Sequence, residues 1–138
     1  MRRCLLAAAL VLLVEDAGRG VVLHREPVTA GATFVLSYVH SSEQVAVRGT
    51  FRVEPDGTLR VVETAFAGFG PGLPELRPGD DWRIEDGMIV HRPDVERLPD
   101  LTVRVLPLTR HRLRLPSARD LDLSSLGGSG GLVRVRVE

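Results

Sequence analysis

The stretch LSYVHSSEQVAVRGTF, residues 36–51, has the pattern of two β-strands joined by a polar segment. In this stretch and its two flanks, apolar or aromatic side chains recur at alternate positions: Phe34, Leu36, Tyr38 and His40 come before the polar segment, and Val45, Val47, Phe51 and Val53 follow it, with Gly49 between Val47 and Phe51. Because successive side chains of a strand point to opposite faces, each set shares one face of a sheet. The stretch predicts an antiparallel hairpin with one apolar face.

The polar segment raises the question of where His40 and Glu43 point. If Ser41-Ser42 is a two-residue loop, His40 pairs directly with Glu43 and Tyr38 pairs with Val45. Ser-Ser is a poor sequence for so tight a turn. Any loop with an even number of residues, however, leaves the same side chains of the two strands on the same face of the sheet. The two side chains are therefore predicted at the rim of the sheet, on its core side.

Two interpretations of this pair stay open. His40 and Glu43 form either a charged hydrogen bond that closes the hairpin or part of a ligand or metal site. Zinc usually takes three or four protein ligands, so the pair alone is incomplete. The other histidines that could contribute are His24, His91 and His111.

Short β-branched runs separated by Gly, Pro and Asp recur along the whole chain, and no segment of ten residues has a helical apolar period. The pattern predicts strands at 10–15, 21–25, 33–40, 44–54, 58–66, 82–85, 88–91, 101–106, 112–115 and 132–137. The fold class that follows is all-β: a single domain that is an antiparallel sandwich or an open barrel built of hairpins.

Turn residues fix two further registers. Pro55-Asp56-Gly57 predicts a hairpin with Val53 opposite Leu59, and Asp86-Gly87 predicts another with Ile84 opposite Ile89 and Trp82 opposite His91. Continued without interruption, the first register places Gly49 opposite Glu63, which puts this carboxylate on the apolar face. A bulge would instead turn Val62, Thr64 and Phe66 inward.

Composition excludes several functions. The 138 residues include 18 acidic and 18 basic side chains, so no excess of positive charge indicates a nucleic-acid partner. There is no lysine, which excludes Schiff-base chemistry. The single cysteine is Cys4, in the apolar N-terminal run, which excludes a disulfide within the chain and thiol catalysis in the fold. Ser41 and His40 are strand neighbours that face opposite ways, so they do not form a nucleophile–base pair. Strand rise separates Glu43 from Glu63 by about 20 Å, so the two carboxylates do not form an acid/base pair. We expect no catalytic residues, no metal and no cofactor, and hence no enzyme.

The N-terminus, MRRCLLAAALVLLVEDAGRG, combines two arginines with an apolar run from Cys4 to Val14. Residues 1–14 have the form of a signal-like leader, followed by a β domain at 15–138. Alternatively, the run already contains the first strand of a hairpin that turns at residues 17–20. The leader predicts a periplasmic or other extracytoplasmic location, with residues 4–14 as a membrane tether if the protein is anchored in the inner membrane.

The longest irregular segment is AFAGFGPGLPELRPGD, residues 65–80. Its glycines give the backbone freedom, whereas its prolines stiffen it. It either covers one end of a sheet or presents backbone N–H groups to an anionic ligand or a partner protein.

These motifs together resemble domain of unknown function 1850, a family of small exported bacterial proteins. The family pattern runs Tyr-x-His-Ser-x-Glu, Thr-Pro-Val-Glu-Glu, an aromatic residue, Glu-Thr-x-Phe, and Ser-Phe-Gly-Ala-Gly-Leu-Pro. The matching residues here are Tyr38, His40, Ser41, Glu43, Val47, Phe51, Glu63, Phe66, Phe69, Gly70, Gly72, Leu73 and Pro74.

This chain departs from the pattern at Val45-Ala46, at Arg48-Gly49, where the family has two acids, and at Pro71. The resemblance implies a role beside TAXI-type tripartite (TRAP) solute transporters. The expected function is that of a non-catalytic accessory protein, which contacts the transporter permease or its solute-binding protein. The alternative is a small-molecule or metal-binding module that uses the His40/Glu43 hairpin. The expected ligand- or partner-binding residues are His40, Ser41, Glu43, Glu63, Phe69, Gly70, Gly72, Leu73 and Pro74.

Overall fold

The computed structural model describes residues 9–71, 73–126 and 131–138. Within these ranges the chain is built almost entirely of antiparallel strands. Their bounds are β1 Leu10–Asp16, β2 Val21–Val28, β3 Thr33–Val39, β4 Ala46–Val53, β5 Leu59–Phe66, β6 Asp81–Glu85, β7 Met88–Arg92, β8 Arg97–Leu98, β9 Leu101–Val105, β10 Arg112–Arg114, β11 Asp120–Asp122 and β12 Gly131–Val137. A 3-10 helix spans Pro107–Thr109, and a single helical turn, α1, spans Leu123–Leu126.

The strands form two sheets. The small sheet has the order β2-β1-β12-β9, and the large sheet has the order β11-β10-β3-β4-β5-β7-β6, with β8 also paired to β5. Alternate side chains of the two inner faces bury one another, as the period-two pattern requires. The predicted all-β sandwich of hairpins is therefore confirmed.

One buried cluster joins the sheets. The small sheet contributes β1 and β12 side chains, and the large sheet contributes side chains from β3, β4, β5 and β10; the central members are Leu12, Val14, Val133, Val135, Phe34, Leu36, Phe51, Val53, Leu59 and Leu113. The closing strand predicted at the C-terminus is confirmed: β12 pairs with β1 through contacts such as Val14 opposite Val135.

The apolar N-terminal run contributes directly to this core. Leu12 and Val14 are fully buried in β1, and β1 forms a hairpin with β2 through the turn at residues 17–20. The Asp16 carboxylate accepts hydrogen bonds from Arg19 Nε and from the Arg19 N–H at 2.8 and 3.0 Å, which stabilises that turn. The folded domain thus starts no later than Leu10, whereas residues 1–8 of the predicted leader lie outside the described residues.

The Pro55–Gly57 hairpin has the predicted register near its turn, with Val53 opposite Leu59. Further along, a β-bulge shifts the register, so that Thr50 pairs with Glu63 and Gly49 pairs with Thr64. The predicted pairing of Gly49 with Glu63 is wrong, because the bulge adds one residue to β5. Glu63 consequently shares the outer face with Thr50, away from the core.

The Asp86-Gly87 hairpin is confirmed, with Ile84 opposite Ile89 and Trp82 opposite His91. Both turn residues have positive φ angles, 52° and 76°, as a two-residue hairpin turn requires.

Part of the inner face of the large sheet is covered by irregular chain rather than by the small sheet. Residues of the segment that connects β5 to β6, among them Leu73, Pro74 and Arg77, lie along this region. An open cleft of about 1290 Å³ remains there, lined by residues that include Tyr38, Val47, Thr64, Leu73, Leu101 and Val103.

Candidate functional site

The β3–β4 connection places His40 directly after the end of β3. The His40 N–H donates to the Val45 carbonyl oxygen at 2.8 Å, and the Gln44 N–H donates to the His40 carbonyl oxygen at 2.8 Å. The loop therefore has four residues, 41–44, and Gln44 adopts a left-handed φ of 53° that closes it.

This loop corrects the predicted pairing. His40 lies opposite Val45 rather than Glu43, and Tyr38 pairs with Val47. Because four is an even number, the facing of the strand is unchanged: Tyr38 and Val47 point to the core side, as the alternation predicts.

The His40 ring uses both nitrogens to hold other parts of the site. Nε2 lies 2.8 Å from the Pro71 carbonyl oxygen, and Nδ1 lies 3.2 Å from Ser42 Oγ and 3.3 Å from the Glu43 backbone nitrogen. A carbonyl oxygen only accepts and a backbone N–H only donates, so the proton belongs on Nε2 and the lone pair on Nδ1. His40 is thus a neutral imidazole of defined tautomer that connects the hairpin to the irregular segment.

Glu43 contributes its backbone to His40, whereas its side chain lies against Gly70. A Cβ atom at Gly70 would lie 2.6 Å from Glu43 Cγ and 3.3 Å from His40 Cε1. Glycine lets the segment approach the hairpin this closely without displacing the Glu43 side chain. The Glu43 carboxylate has no hydrogen bond or ion pair among the described residues, so the predicted charged bond between His40 and Glu43 is wrong.

The segment Phe69–Pro74 turns immediately after this contact. The Leu73 N–H donates to the Gly70 carbonyl oxygen at 3.1 Å. Phe69 packs edge-on against buried Phe66, with ring centroids 5.6 Å apart, yet remains 57% exposed. Leu73 and Pro74 line the open cleft. Gly72 lies outside the described residues.

The remaining predicted residues do not join this group. Ser41 is exposed, and its side chain makes no contact with another polar group among the described residues. Glu63 lies on the outer face of the large sheet, where its carboxylate is 3.3 Å from Arg92 Nε and 3.9 Å from Arg83.

A second histidine, His111, packs against Tyr38 of β3, two residues before His40. His111 is 5% exposed, stacks on Tyr38 with ring centroids 4.8 Å apart, and has Nδ1 2.7 Å from Thr109 Oγ1. Burial lowers the pKa of His111 to about 4, so the ring is neutral at physiological pH. The sequence did contain a signal for it, since His111, Leu113 and Leu115 alternate with arginines and are all buried.

The described part of the chain contains neither a candidate metal cluster nor a candidate membrane-spanning helix. Within residues 9–71, 73–126 and 131–138, no three His, Cys, Asp or Glu side chains are grouped closely enough to hold a metal ion. In the same ranges, no helix has the length and apolar character needed to cross a bilayer.

Both halves of the site, the His40 hairpin and the Phe69–Pro74 segment, fall within residues 34–121. This is the range that matches a family model described as Domain of unknown function (DUF1850). The chain belongs to this family. Comparisons of the DUF1850 protein with curated proteins and with solved structures found no match. Since the family match includes β3, β4, β5 and the connection to β6, it contains the complete contact between His40 and Pro71.

Proposed function

We propose that this DUF1850 protein is a non-catalytic accessory protein that acts outside the cytoplasm and contacts a TRAP-type solute transporter. The observation that carries the proposal is the state of His40: Nε2 holds Pro71 of the segment Phe69–Pro74, Nδ1 accepts from the Glu43 N–H of the hairpin loop, and Phe69 remains 57% exposed. We refer to Glu43, Phe69, Gly70, Pro71 and the His40 ring beneath them as the loop surface.

His40 is poorly suited to chemistry in this arrangement. A general base needs a free lone pair directed at substrate, and a metal ligand needs the same. The lone pair of His40 Nδ1 already accepts from Glu43 N–H, and Nε2 donates to Pro71. The histidine is therefore a positioning residue for the loop surface.

Phe69 gives the loop surface its binding capacity. An exposed aromatic ring on a fixed backbone is the typical anchor of a protein interface, because burying it is favourable and few rotamers are lost. The ring is supported from below by Phe66, which is fully buried. The loop thus presents Phe69 in a defined position to a partner.

The choice of partner rests on the family resemblance, which implies a role beside TRAP transporters, and the arginine-flanked apolar run supports export. Export of the folded domain described here requires that any processing occurs before Leu10, because β1 lies at the centre of the small sheet. The partner is then the transporter permease or the solute-binding protein that delivers to it.

Affinity purification from the native membranes, followed by mass spectrometry, tests the proposal. The tagged protein is expected to recover transporter subunits, and Phe69→Ser is expected to lose them. Val95→Ser is the matched control, since Val95 is 69% exposed and lies outside the loop surface. Equal recovery by wild type and Phe69→Ser would exclude the loop surface as the contact, and recovery of no transporter subunit by wild type would exclude the partner.

A small-molecule binder is the second candidate, favoured by the open cleft of about 1290 Å³ beside the loop surface. Its wall combines apolar side chains with Thr64, His91 and charged side chains of both signs, among them Arg52, Arg60 and Glu96. A ligand at 100 times its Kd would stabilise the protein by about 2.7 kcal/mol, which a thermal shift with small carboxylates would detect. Loss of that shift in Leu73→Asp, with no such loss in Val95→Ser, would place the ligand in the cleft.

A further inference from the structure

The edge strand β6 of the large sheet carries two exposed apolar side chains on one face. Trp82 is 47% exposed and Ile84 is 71% exposed. In register, Ile84 lies opposite Ile89, which lies opposite Phe66, so both side chains continue the inner face of the sheet. In the described part of the chain β6 pairs only with β7, which leaves its other side open.

Two of the other sheet edges are interrupted or very short. The edge strand β2 contains Pro27, and its ladder with β1 is interrupted by a bulge. The edge strand β11 has only three residues. The edge strand β9 has neither a proline nor a bulge, but its inward side chains Leu101 and Val103 are half-buried at the cleft, whereas those of β6 are exposed. Strand β6 has neither a proline nor a bulge, two devices that natural sheets use to prevent edge pairing; its protection is limited to its five-residue length and the charges of Asp81, Arg83 and Glu85.

The hairpin geometry determines which backbone groups of β6 face outward. In a two-residue hairpin the residues that flank the turn, here Glu85 and Met88, exchange hydrogen bonds, and alternate pairs do so thereafter. The pairs of Ile84 with Ile89 and of Trp82 with His91 are therefore the non-bonded ones. The N–H and C=O groups of Trp82 and Ile84 consequently point to the open side of β6.

We propose that two copies of this chain pair through β6 in an antiparallel arrangement with Ile84 opposite Ile84 of the second copy. This register places Arg83 opposite Glu85 of the second copy, and the symmetry of the pair repeats the contact. Opposite charges that face each other across strands are stabilising. Arg83 already lies 2.8 Å from Glu85 of its own strand, so the four side chains form one alternating group of charges.

The sequence of β6, DWRIE, discriminates between registers. Placing Trp82 opposite Ile84 of the second copy would bring Arg83 against Arg83 and Asp81 against Glu85, which repel. Centring the pair on Trp82 would require Asp80 as a further donor, but the Asp80 N–H already donates to the Arg77 carbonyl oxygen at 3.1 Å. The Ile84-centred register satisfies the charges and the outward backbone groups of Ile84, and it sets Trp82 opposite the turn residue Asp86 of the second copy.

A five-residue edge gives a small interface, and interfaces of this kind associate weakly. The test is therefore sedimentation equilibrium of the full chain over a series from about 10 µM to about 1 mM, the range in which a weak pair becomes half-associated. Wild type is expected to shift from monomer to dimer within this series. A wild type that stays monomeric throughout the series would overturn the proposal. That result would also be expected if the edge of β6 paired with a different protein instead of a second copy.

Charge exchange tests the register. Arg83→Glu and Glu85→Arg are each expected to be monomeric over the series, whereas their equimolar mixture is expected to dimerise, because each protomer then supplies the charge that the other needs. Arg25→Glu, on the exposed edge strand β2, is the matched control and should dimerise like wild type. Dimerisation of Glu85→Arg alone, or failure of the mixture to dimerise while wild type does, would contradict the Ile84-centred pairing. Thermal unfolding of each variant confirms that it is folded.

Discussion

The Nε2 atom of His40 lies 2.8 Å from the carbonyl oxygen of Pro71, although 31 positions separate the two residues in the chain. This hydrogen bond joins the two motifs, the polar hairpin and the Gly-Pro-rich segment, into a single unit. The histidine is held in turn by Ser42 and the Glu43 N–H. The bond therefore fixes the position of the segment against the hairpin.

His40→Ala should loosen the loop surface while leaving the sandwich folded. The substitution removes the ring bonds to Pro71, Ser42 and Glu43, all partly exposed, so we expect a loss of about 1–2 kcal/mol in the free energy of unfolding. Urea denaturation measures the loss, and limited proteolysis should show faster cleavage within residues 67–80. Ser41→Ala is the control because its side chain makes no polar contact among the described residues. A His40→Ala protein as stable and as resistant as Ser41→Ala would refute the positioning role.

Gly70→Ala tests the close approach of the segment to the hairpin. The new Cβ atom would lie 2.6 Å from Glu43 Cγ, so the exposed Glu43 side chain must leave its rotamer or the segment must shift, and we expect a loss of about 0.5–1.5 kcal/mol in the free energy of unfolding. Glu43→Ala removes the clashing atom, so the double variant should recover most of the loss in a double-mutant cycle. Gly18→Ala, whose Cβ would find its nearest atom at an ordinary 3.5 Å, is the control. Additive effects of the two substitutions would show that Glu43 does not restrict position 70.

His111 should make the protein less stable as the pH falls from about 6.5 to 4. Its pKa is lowered from 6.5 to about 4 by burial, so in this window the unfolded chain binds a proton that the folded chain does not. Stability is highest above pH 6.5 and declines as the pH approaches 4. Urea denaturation across this range should show a shallower decline for His111→Gln than for wild type, even if the variant is less stable at neutral pH. Equal slopes would mean that the folded protein titrates His111 normally.

Glu63→Gln should have little effect, because the carboxylate forms partly exposed ion pairs with Arg83 and Arg92 on the outer face. Ion pairs of this kind contribute about 0–1 kcal/mol, and less at high salt. The variant should also recover the same membrane partners as wild type. A loss of partner recovery without a loss of stability would return Glu63 to the binding surface.

Local turn chemistry explains how much of the fold could be predicted from the sequence. Pro55-Asp56-Gly57 and Asp86-Gly87 specify their turns through glycine at a positive φ, and the strands that flank them have the predicted register. The loop at residues 41–44 lacks such a signal, because Gln44 takes the left-handed conformation that glycine or asparagine usually supplies. Its length was therefore underestimated by two residues.

The bulge in β5 and the shortest strands are harder to predict from the sequence, for different reasons. Val61 and Val62 are both valines, so alternation does not reveal which of them faces the core. Strands β8 and β11 have two and three residues, too few to establish a period. The bond from His40 to Pro71 depends on how the segment folds back over the sheet, and residue spacing alone does not determine such a contact.

The central claim is that His40 holds the segment Phe69–Pro74 rather than acting as a free ligand or base. Nitrogen-15 NMR of the histidine side chains at neutral pH tests it most directly. We predict that His40 is a neutral ring with the proton on Nε2 and an unprotonated Nδ1, and that adding zinc leaves these signals unchanged. A proton on Nδ1, rapid exchange between the two tautomers, or a zinc-dependent shift of the His40 signals would contradict the claim.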